Sequence, residues 1–487
     1  MSIKKFYATA DTTITNAYKE DLKTRATDAN MGLSDSVEVF FIYGQNPDPQ
    51  ALAADKLEEA RILLKFDTTA LMSYYSNSFP TNVKFILRLT NAEHPFTLAR
   101  NYSLKAYALT EAFEEGVGLD MESYKDKDAA SWSNRTDSNT WTTAGAKQAG
   151  DTLIGSQTFT TGIEDLEIDV TTYIQNIFGG TTDNGIVIML DSALTGGAQT
   201  NNYYTKKFFA RSSEFFFKRP VIEARRDDAK ADNRGNFFAK SKAFSSAQNT
   251  QRIYLYNSVD GERSNFTLPD VDEELYVRFY TDAARTTLAT LDPVANFVAA
   301  SNESTGVYYA DVVLDDSSVT KIYDQWYFAD TGAAVVGERT VVHEGTIEVK
   351  KRTPQADTGE IDYRIDITNL KKSYTRDETA KFRVYTRQKD WNPTIYTVAS
   401  KEIENLVVEK MYYKIVRLVD GVDVIKYGIG TSENNKEHTL VSYDASGSYF
   451  DFDMSLLESG YMYGIKLMFS VNGERKEQPE IFKFRVD

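Results

Sequence analysis

The chain of 487 residues contains no cysteine. This absence excludes disulfide bonds, thiolate catalysis and cysteine-ligated zinc sites, and it is typical of folding in a reducing cytoplasm. Histidine is nearly as scarce. His94, His343 and His438 are the three present, and they lie far apart in the sequence with no His-x-x-x-His pair among them. We therefore expect no zinc-peptidase site.

Long hydrophobic runs are also missing. The most apolar short run covers residues 186–190, far below the ~20 residues of a membrane-spanning helix. The first ten residues, MSIKKFYATA, lack the apolar stretch of a signal peptide. These features predict a protein made in a cytoplasm without a signal peptide, and without membrane insertion.

Positive charge is in deficit, because 55 basic residues face 71 acidic ones, for a net charge of −16. A protein that binds a nucleic acid needs clustered Lys and Arg to neutralise phosphates. The average field of this chain repels phosphates instead. We expect no nucleic-acid partner.

Aromatic residues, by contrast, are abundant, with 30 Tyr and 28 Phe, and they favour a pleated surface. Apolar side chains alternate with a period of two in residues 83–89, 102–108 and 166–170, which is the pattern of half-buried strands. The sequence therefore predicts an all-β fold. A chain of this length is expected to hold about three domains.

Two short helices interrupt the strand pattern. Val170, Tyr173, Ile174 and Ile177 follow helical spacing, with Asp169 as the expected cap and a Gly-Gly pair at the end. Residues 51–60 are a second candidate helix, in a surface insertion that begins Asn-Pro-Asp-Pro at position 46.

Changes of composition divide the chain into an N-terminal β-sandwich, a linker, an immunoglobulin-like β-sandwich and a C-terminal β-sandwich. The predicted bounds are 1–226, 227–249, 250–350 and 351–487. Phe237, Phe238 and Phe244 are unusual in a linker, and we expect them to dock on a neighbouring surface.

Two dipeptides in the C-terminal region predict β-hairpins. Asp420-Gly421 and Asn472-Gly473 are pairs typical of two-residue turns in which both residues have positive φ.

The sequence lacks the common catalytic and nucleotide-binding motifs. It holds no G-x-S-x-G elbow, P-loop or dinucleotide fingerprint. The carboxylate cluster Glu114, Glu115, Asp120 and Glu122 is better explained as a solvated loop than as a glycosidase pair. We expect no catalytic residues and no enzymatic activity.

Cofactors are likewise not indicated, with one candidate left open. Oxygen-rich segments at Asp11–Thr13, Asp28–Asn30 and Asp35 could supply ligands to a structural calcium ion, although no EF-hand spacing occurs. The alternative is that these Asp and Asn side chains bond their own backbone in turns.

Trp132 and Trp141 are the candidate sugar contacts, because they flank a polar loop and exposed aromatic rings stack on sugars. The alternative is that both anchor this loop on the sandwich, since Trp is mostly buried in folded proteins.

The order of motifs over the first 225 residues resembles the DNRLRE-type jelly-roll domains, which are similar to carbohydrate-binding modules. The segments that carry the resemblance include those around Trp132 and Trp141, and the others are ATADTTI (8–14), NMGLSDSVEV (30–39), RILLKFD (61–67), IDVTTYI (168–174), NGIVI (184–188), FFARSSE (208–214) and RPVI (219–222). The resemblance implies a β-sandwich and sugar binding.

The whole chain, cysteine-free, acidic and rich in Tyr, resembles virion proteins of tailed bacteriophages. The segments FYTD (279–282), GVYYADV (306–312) and YDQW (323–326) look like the immunoglobulin-like modules that decorate such particles. The resemblance implies a non-enzymatic structural protein in the neck, tail, baseplate or capsid decoration. Its expected partners are other virion proteins and copies of itself in a homo-oligomer. The alternative is a carbohydrate-binding module for attachment to a host glycan.

Overall fold

The computed structural model describes residues 2–43, 56–94, 98–123, 126, 128–195, 203–270, 272–330, 339–351, 362–389, 405–430, 436–471 and 473–487. The chain divides into two compact units. Unit 1 comprises Met1–Asp227 and Gly428–His438, and unit 2 comprises Asp228–Tyr427 and Thr439–Asp487. None of the described helices is long and apolar enough to cross a membrane.

The described residues of unit 1 form twelve strands and three short α-helices. The strands are β1 (Ile3–Thr15), β2 (Ser36–Tyr43), β3 (Leu57–Phe66), β4 (Val83–Leu89), β5 (Tyr102–Ala108), β6 (Asn134–Thr136), β7 (Asn139–Thr140), β8 (Thr152–Phe159), β9 (Leu166–Asp169), β10 (Ile186–Leu190), β11 (Tyr203–Phe209) and β12 (Val221–Arg226). The helices are α1 (Thr68–Tyr74), α2 (Thr171–Phe178) and α3 (Ser192–Thr195).

Strand β1 belongs to both halves of a ten-stranded antiparallel arrangement. Its residues 3–7 pair with β12, and after a bulge between Ala8 and Ala10 its second part pairs with β3. One half therefore runs β1-β12-β4-β9, and the other runs β1-β3-β10-β5-β8, with β2 and β11 continuing from β3. A bulge bends a strand, which lets one strand serve two sheets.

The main core of unit 1 lies between these halves. Strand alternation turns Ile62 and Leu64 of β3 toward Phe85 and Leu87 of β4, and all four are fully buried in one cluster. The intervening Leu63 faces the other way, into a second, smaller core. Strand β3 is thus buried on both faces, which explains its nearly continuous apolar sequence.

The helix predicted from residue 170 is confirmed. It spans Thr171–Phe178, Asp169 accepts a hydrogen bond from the backbone N of Thr171 (2.9 Å), and the helix ends at Gly179. The second predicted helix is wrong from residue 57 onward, because Leu57–Phe66 is strand β3, paired on β1 and β2. Residues 51–55 lie outside the described residues.

Unit 2 begins with residues of the predicted linker and an eight-stranded sandwich. The described residues of this region comprise a one-turn helix, α4 (Ser246–Asn249), the eight sandwich strands and a two-stranded hairpin. The ten strands are β13 (Phe237–Phe238), β14 (Gln251–Tyr256), β15 (Ser258–Val259), β16 (Glu262–Arg263), β17 (Glu273–Tyr280), β18 (Val298–Ala299), β19 (Ser301–Ser304), β20 (Val307–Val312), β21 (Lys321–Asp330) and β22 (Thr340–Lys350). One sheet runs β13-β22-β21-β17-β18 and the other runs β14-β20-β19, while β15 and β16 form a separate hairpin.

The rest of unit 2 is a second sandwich of the same kind. Its strands are β23 (Tyr363–Ile367), β24 (Ser373–Tyr374), β25 (Thr379–Gln388), β26 (Met411–Arg417), β27 (Asp423–Ile425), β28 (Ser442–Asp444), β29 (Gly447–Asp453), β30 (Met462–Val471), β31 (Glu474–Glu477) and β32 (Phe482–Val486). One sheet runs β23-β25-β29-β28, and the other runs β24-β32-β30-β26-β27.

Both sandwiches have immunoglobulin-like topology. In the second, the order β23-β25-β29-β28 is the A-B-E-D sheet, and β26, β30 and β32 are strands C, F and G. In each, a short early strand pairs in parallel with the last strand: β13 with β22, and β24 with β32. The predicted all-β sandwich fold class is therefore confirmed.

The predictions for the linker phenylalanines and for the two hairpins are confirmed in part. Phe237 of the predicted linker is fully buried and Phe238 partly so, whereas Phe244 remains 40% exposed. At Asp420-Gly421 the strands β26 and β27 do form a hairpin, but only Gly421 has a positive φ, of 70°. Asp420 instead binds the Arg417 guanidinium, which favours a longer loop. Gly473 has a φ of 84° between the paired β30 and β31, and Asn472 lies outside the described residues.

Candidate functional site

The two tryptophans of the predicted sugar contact hold a loop on unit 1. Trp141 is 4% exposed, packs in the second core beside Leu63, and donates from Nε1 to the Ser131 carbonyl (2.9 Å). Trp132 is partly buried, with the Arg61 guanidinium 4.9 Å from its ring centre. Trp141 therefore presents no open ring face to a sugar, and Trp132 presents a ring already covered by a cation.

Asp11, the first of the candidate calcium ligands, lies in a network of hydrogen bonds with Arg211 and Glu115. The Asp11 carboxylate, 1% exposed, accepts from the backbone N of Arg211 (2.5 Å). The Arg211 guanidinium in turn holds Glu115 with two hydrogen bonds of 3.0 and 2.7 Å. Burial raises the pKa of Asp11 to about 7, as does the neighbouring Glu115 carboxylate.

Asn30, another candidate calcium ligand, is fully buried and fully bonded. Its Nδ2 donates to the carbonyls of Glu115 and Ala130, and its Oδ1 accepts from the backbone N of Gly32 and Gly118. Within the described ranges, no group of three or more His, Asp or Glu side chains is positioned to hold a metal ion. The calcium site stays a prediction, and the side chains of two of its candidate donors, Asp11 and Asn30, are engaged in hydrogen bonds.

The acidic cluster at residues 114–122 is engaged in loop contacts. Asp120 accepts from the backbone N of Glu122 (2.8 Å) and Ser123 (2.6 Å), and Glu122 accepts from the backbone N of Glu20 (2.7 Å). These are the bonds by which acidic side chains stabilise turns.

A buried charge cluster covers the outer side of strands β1, β4 and β12. Glu223, 3% exposed, accepts two hydrogen bonds from Arg225 (3.0 and 2.8 Å), with Arg88 at 3.4 Å and Lys5 at 3.7 Å. These three cations hold the pKa of Glu223 well below its usual range against the effect of burial. Burial lowers the pKa of Lys5 to about 8.

His438 is buried within unit 1 at this charge cluster. It is 4% exposed, and its Nδ1 lies 2.9 Å from the Lys436 carbonyl oxygen. Burial, together with the positive charge of Arg225, lowers its pKa to about 4. The other two histidines lie on different elements, with His343 on β22 and His94 after β4.

A surface groove of about 490 Å³ lies on unit 1. Its apolar wall consists of Phe209 and Phe215, whose rings meet edge to face at 5.6 Å, and Phe215 is 43% exposed. The Lys218 ammonium lies 4.6 and 4.8 Å from these two ring centres. The other lining residues are Asp35, Ser36, Asn91, Ala92, Glu93, Lys207, Ser213 and Glu214.

Local hydrogen bonds build this groove. The backbone N of Ala210 donates to the Asp35 carbonyl (2.9 Å), and the Arg219 guanidinium donates to the Ser213 carbonyl (2.8 Å). An aromatic wall with donors and acceptors around it suits a ligand that has both an apolar face and polar edges. Sequence reasoning did not select these residues, although the run FFARSSEFFFK (208–218) carried the signal.

The architecture and these sites define an all-β protein with immunoglobulin-like modules. No family model matches the chain, and no curated protein matches its sequence. Among solved structures, the chain is similar to the N-terminal Ig1-2 module of the Drosophila receptor protein tyrosine phosphatase DLAR. The identity is 6%, the match covers 49% of this chain and 91% of that chain, and the TM-score is 0.14. The fold assignment therefore rests on the sheet topology itself.

Proposed function

We propose that this chain is a non-enzymatic structural protein of a tailed-bacteriophage virion, located in the neck, tail, baseplate or capsid decoration. It assembles through its sandwiches with other virion proteins and with copies of itself. The observation that carries the proposal is the joint of unit 2, the segment 228–236, which bonds to both immunoglobulin-like sandwiches.

On one side, the joint forms backbone hydrogen bonds with the second sandwich. The backbone N of Tyr443 donates to the Lys230 carbonyl (2.9 Å), and the backbone N of Asp232 donates to the Tyr443 carbonyl (3.0 Å). The backbone N of Lys230 also donates to the Ser442 hydroxyl (2.9 Å). The joint thereby adds a short parallel bridge to the second sandwich.

On the other side, the joint is tied to the first sandwich. The Arg234 guanidinium makes two hydrogen bonds, of 3.0 and 2.9 Å, with the Asp324 carboxylate on β21. Asp324 is fully buried and also accepts from Trp326 Nε1 (2.9 Å). Polar contacts to both sandwiches restrain the joint, so the segment 228–236 bridges the two sandwiches. A stiff pair of sandwiches supports a role as a spacer or arm in a particle.

The test is to locate the chain in purified particles. Particles from a lysate of phage encoding this chain are purified on a density gradient, labelled with an antibody to the chain, and imaged by negative stain. We expect label at one fixed position, in the number that the particle symmetry sets. Chain found only in the soluble lysate would contradict the proposal.

The groove favours a second candidate function, attachment to a host glycan through unit 1. Its exposed Phe215 ring can stack on a sugar, and carboxylates and lysines at the rim can bond hydroxyl groups. Three carboxylates and two ammonium groups line the groove, a balance that favours a neutral sugar over an anionic one.

A glycan array probed with wild type and two variants tests this candidate. We expect Phe215→Ala to abolish any binding and Trp132→Phe to keep it, because the stacking surface lies in the groove. The reverse result would return the sugar site to Trp132. Silence of the wild-type protein across the array would reject both placements.

A further inference from the structure

Lys206 is a lysine in the core of unit 1. It lies on β11 between the inward-facing Tyr204 and Phe208 and is 1% exposed. Its Nζ lies 5.0 Å from the ring centre of Phe159 and 5.2 Å from that of Phe208. Lysine is almost never fully buried unless its charge is compensated, so its surroundings call for an explanation.

The two hydrogen bonds of Lys206 go to uncharged groups. Nζ donates to the side-chain Oδ1 of Asn91 (2.6 Å) and to the Gly162 carbonyl (2.7 Å). Asn91 follows the end of β4, in the opposite half of the sandwich from β11. An amine and a carboxamide from the two halves thus meet beside the rings of Phe159 and Phe208.

The Lys206 amine can act as a nucleophile, and the Asn91 carboxamide can act as its electrophile. Burial lowers the pKa of Lys206 to about 8, against the opposing effect of Glu164 and Asp165. With this pKa, roughly a tenth of the side chain is the neutral, nucleophilic amine at pH 7. The electrophilic Cγ of Asn91 is one bond beyond Oδ1, on the order of 3–4 Å from Nζ, close to an attack distance.

Asp165 lies beside both reacting groups. Its Oδ1 accepts from the backbone N of Asn91 (3.0 Å), and its charge acts on Lys206. This hydrogen bond fixes the backbone of Asn91 beside Lys206, while the other oxygen of Asp165 pairs with the Arg88 guanidinium at 3.2 Å.

We propose that Lys206 and Asn91 react to form an intramolecular amide cross-link between the two halves of the unit 1 sandwich. The neutral Nζ attacks Cγ of Asn91, a C–N bond forms, and the Cγ–Nδ2 bond breaks. One proton passes from Nζ to Nδ2, which leaves as ammonia. No oxidant, reductant or other reactant is consumed. Asn91 also lines the groove, so ammonia has a path to solvent.

This proposal is independent of the proposed function, and it adds a covalent modification to the fold. The bond would join residues 115 positions apart in the sequence. It would link the end of β4 to β11, which otherwise are held together by one isolated bridge and by core packing.

Intact-mass measurement of the full-length protein tests the cross-link. We expect wild type to weigh less than its sequence mass by about 17 Da, the mass of ammonia. Lys206→Met and Asn91→Ala should both have their full sequence mass. The matched control Lys207→Met, which changes the adjacent lysine on the opposite face of β11, should keep the deficit.

Tandem mass spectrometry of a tryptic digest separates the cross-link from a succinimide at Asn91, which also loses ammonia. The cross-link requires a branched peptide that contains both Lys206 and Asn91. A deficit that persists in Lys206→Met would be the succinimide and would overturn the proposal. A wild-type protein of full sequence mass would overturn it as well, whether or not the variants fold.

Discussion

At the scale of single residues, burial decides the charge state of several side chains in unit 1. Lys206, His438 and Asp11 are each at most 4% exposed. Each has a pKa displaced toward its neutral form, and burial is the largest cause in all three cases. Their protonation is therefore coupled to folding.

His438 should make unit 1 sensitive to acid. Its pKa is about 4 in the folded protein and 6.5 ordinarily, so between these values the unfolded chain binds more protons. Its contribution to stability is complete above pH 6.5 and is lost as the pH falls toward 4, by roughly 3 kcal/mol. We expect the melting temperature of His438→Gln to fall less than that of wild type between pH 7 and pH 4.5.

The control for this experiment is the range from pH 7.5 to 9. There His438 is neutral in both the folded and the unfolded chain, so the two melting curves should change in parallel. Equal losses of stability for wild type and His438→Gln between pH 7 and 4.5 would contradict the burial of a neutral imidazole.

Asp11 should have the opposite pH dependence. Its folded pKa of about 7 lies above the ordinary 3.8, so the folded state binds more protons between these values. The contribution of this group to stability therefore falls as the pH rises from 4 to 7. Asp11→Asn keeps an acceptor for the Arg211 amide, and we expect it to raise stability by on the order of 2–4 kcal/mol at pH 8. The gain should shrink toward pH 4.

Adding calcium tests the alternative that Asp11 is a metal ligand. If Asp11 is a calcium ligand, calcium chloride should raise the melting temperature of wild type at pH 8 and leave Asp11→Asn unchanged. EDTA removes any effect of calcium, so in its presence only the stabilising effect of Asp11→Asn should remain.

At the scale of elements, strand pairing and contacts to distant residues overrode several local patterns. The alternation in residues 83–89 and the helical spacing from Val170 were sufficient to predict β4 and α2, because each pattern arises from the burial of one face. Residues 57–60 have acceptable helix formers, yet they pair with β2 and join β3. The segment 228–236 looked like a free linker because it lacks periodicity, whereas its structure comes from hydrogen bonds to Tyr443 and Asp324.

The joint offers a comparison between two Arg–Asp pairs of similar geometry. Arg234 pairs with the fully buried Asp324, while Arg252 pairs with Asp311, and both of the latter side chains are more than one-third exposed. Arg234→Ala leaves a buried carboxylate without its cation and should cost about 3–5 kcal/mol. Arg252→Ala removes a solvated pair and should cost about 1 kcal/mol or less.

Thermal unfolding of both variants, with hydrogen exchange of the β21 amides, measures this difference. We expect Arg234→Ala to lose protection along β21 and Arg252→Ala to retain it. Similar, small losses in the two variants would mean that the joint does not depend on the buried ion pair.

At the scale of the whole molecule, net charge is the property that sequence alone predicts most directly. With 71 acidic and 55 basic residues, the protein should not shift a duplex DNA of about 30 base pairs in a gel at low salt, where electrostatic attraction is strongest. A shift that disappears on adding salt would instead reveal a local basic patch and contradict this expectation.

The exposure of the candidate site residues could not be predicted from the sequence. Trp132 and Trp141 were selected because aromatic residues flank a polar loop, and local sequence does not tell an anchoring ring from an exposed one. The groove at Phe209, Phe215 and Lys218 forms only when the turn after β11 folds back beside Asp35. Proximity of this kind is a property of the fold.

The sequence by itself determined the all-β class, the main strands, the short helix α2 and the overall charge. These depend on composition and on the two-residue period with which a strand buries one face. Only the tertiary structure decided that Trp141, His438 and Lys206 are buried, and that Lys206 meets Asn91. The reason is that burial and contact depend on which distant strands pair, and a local pattern does not record a partner 115 residues away.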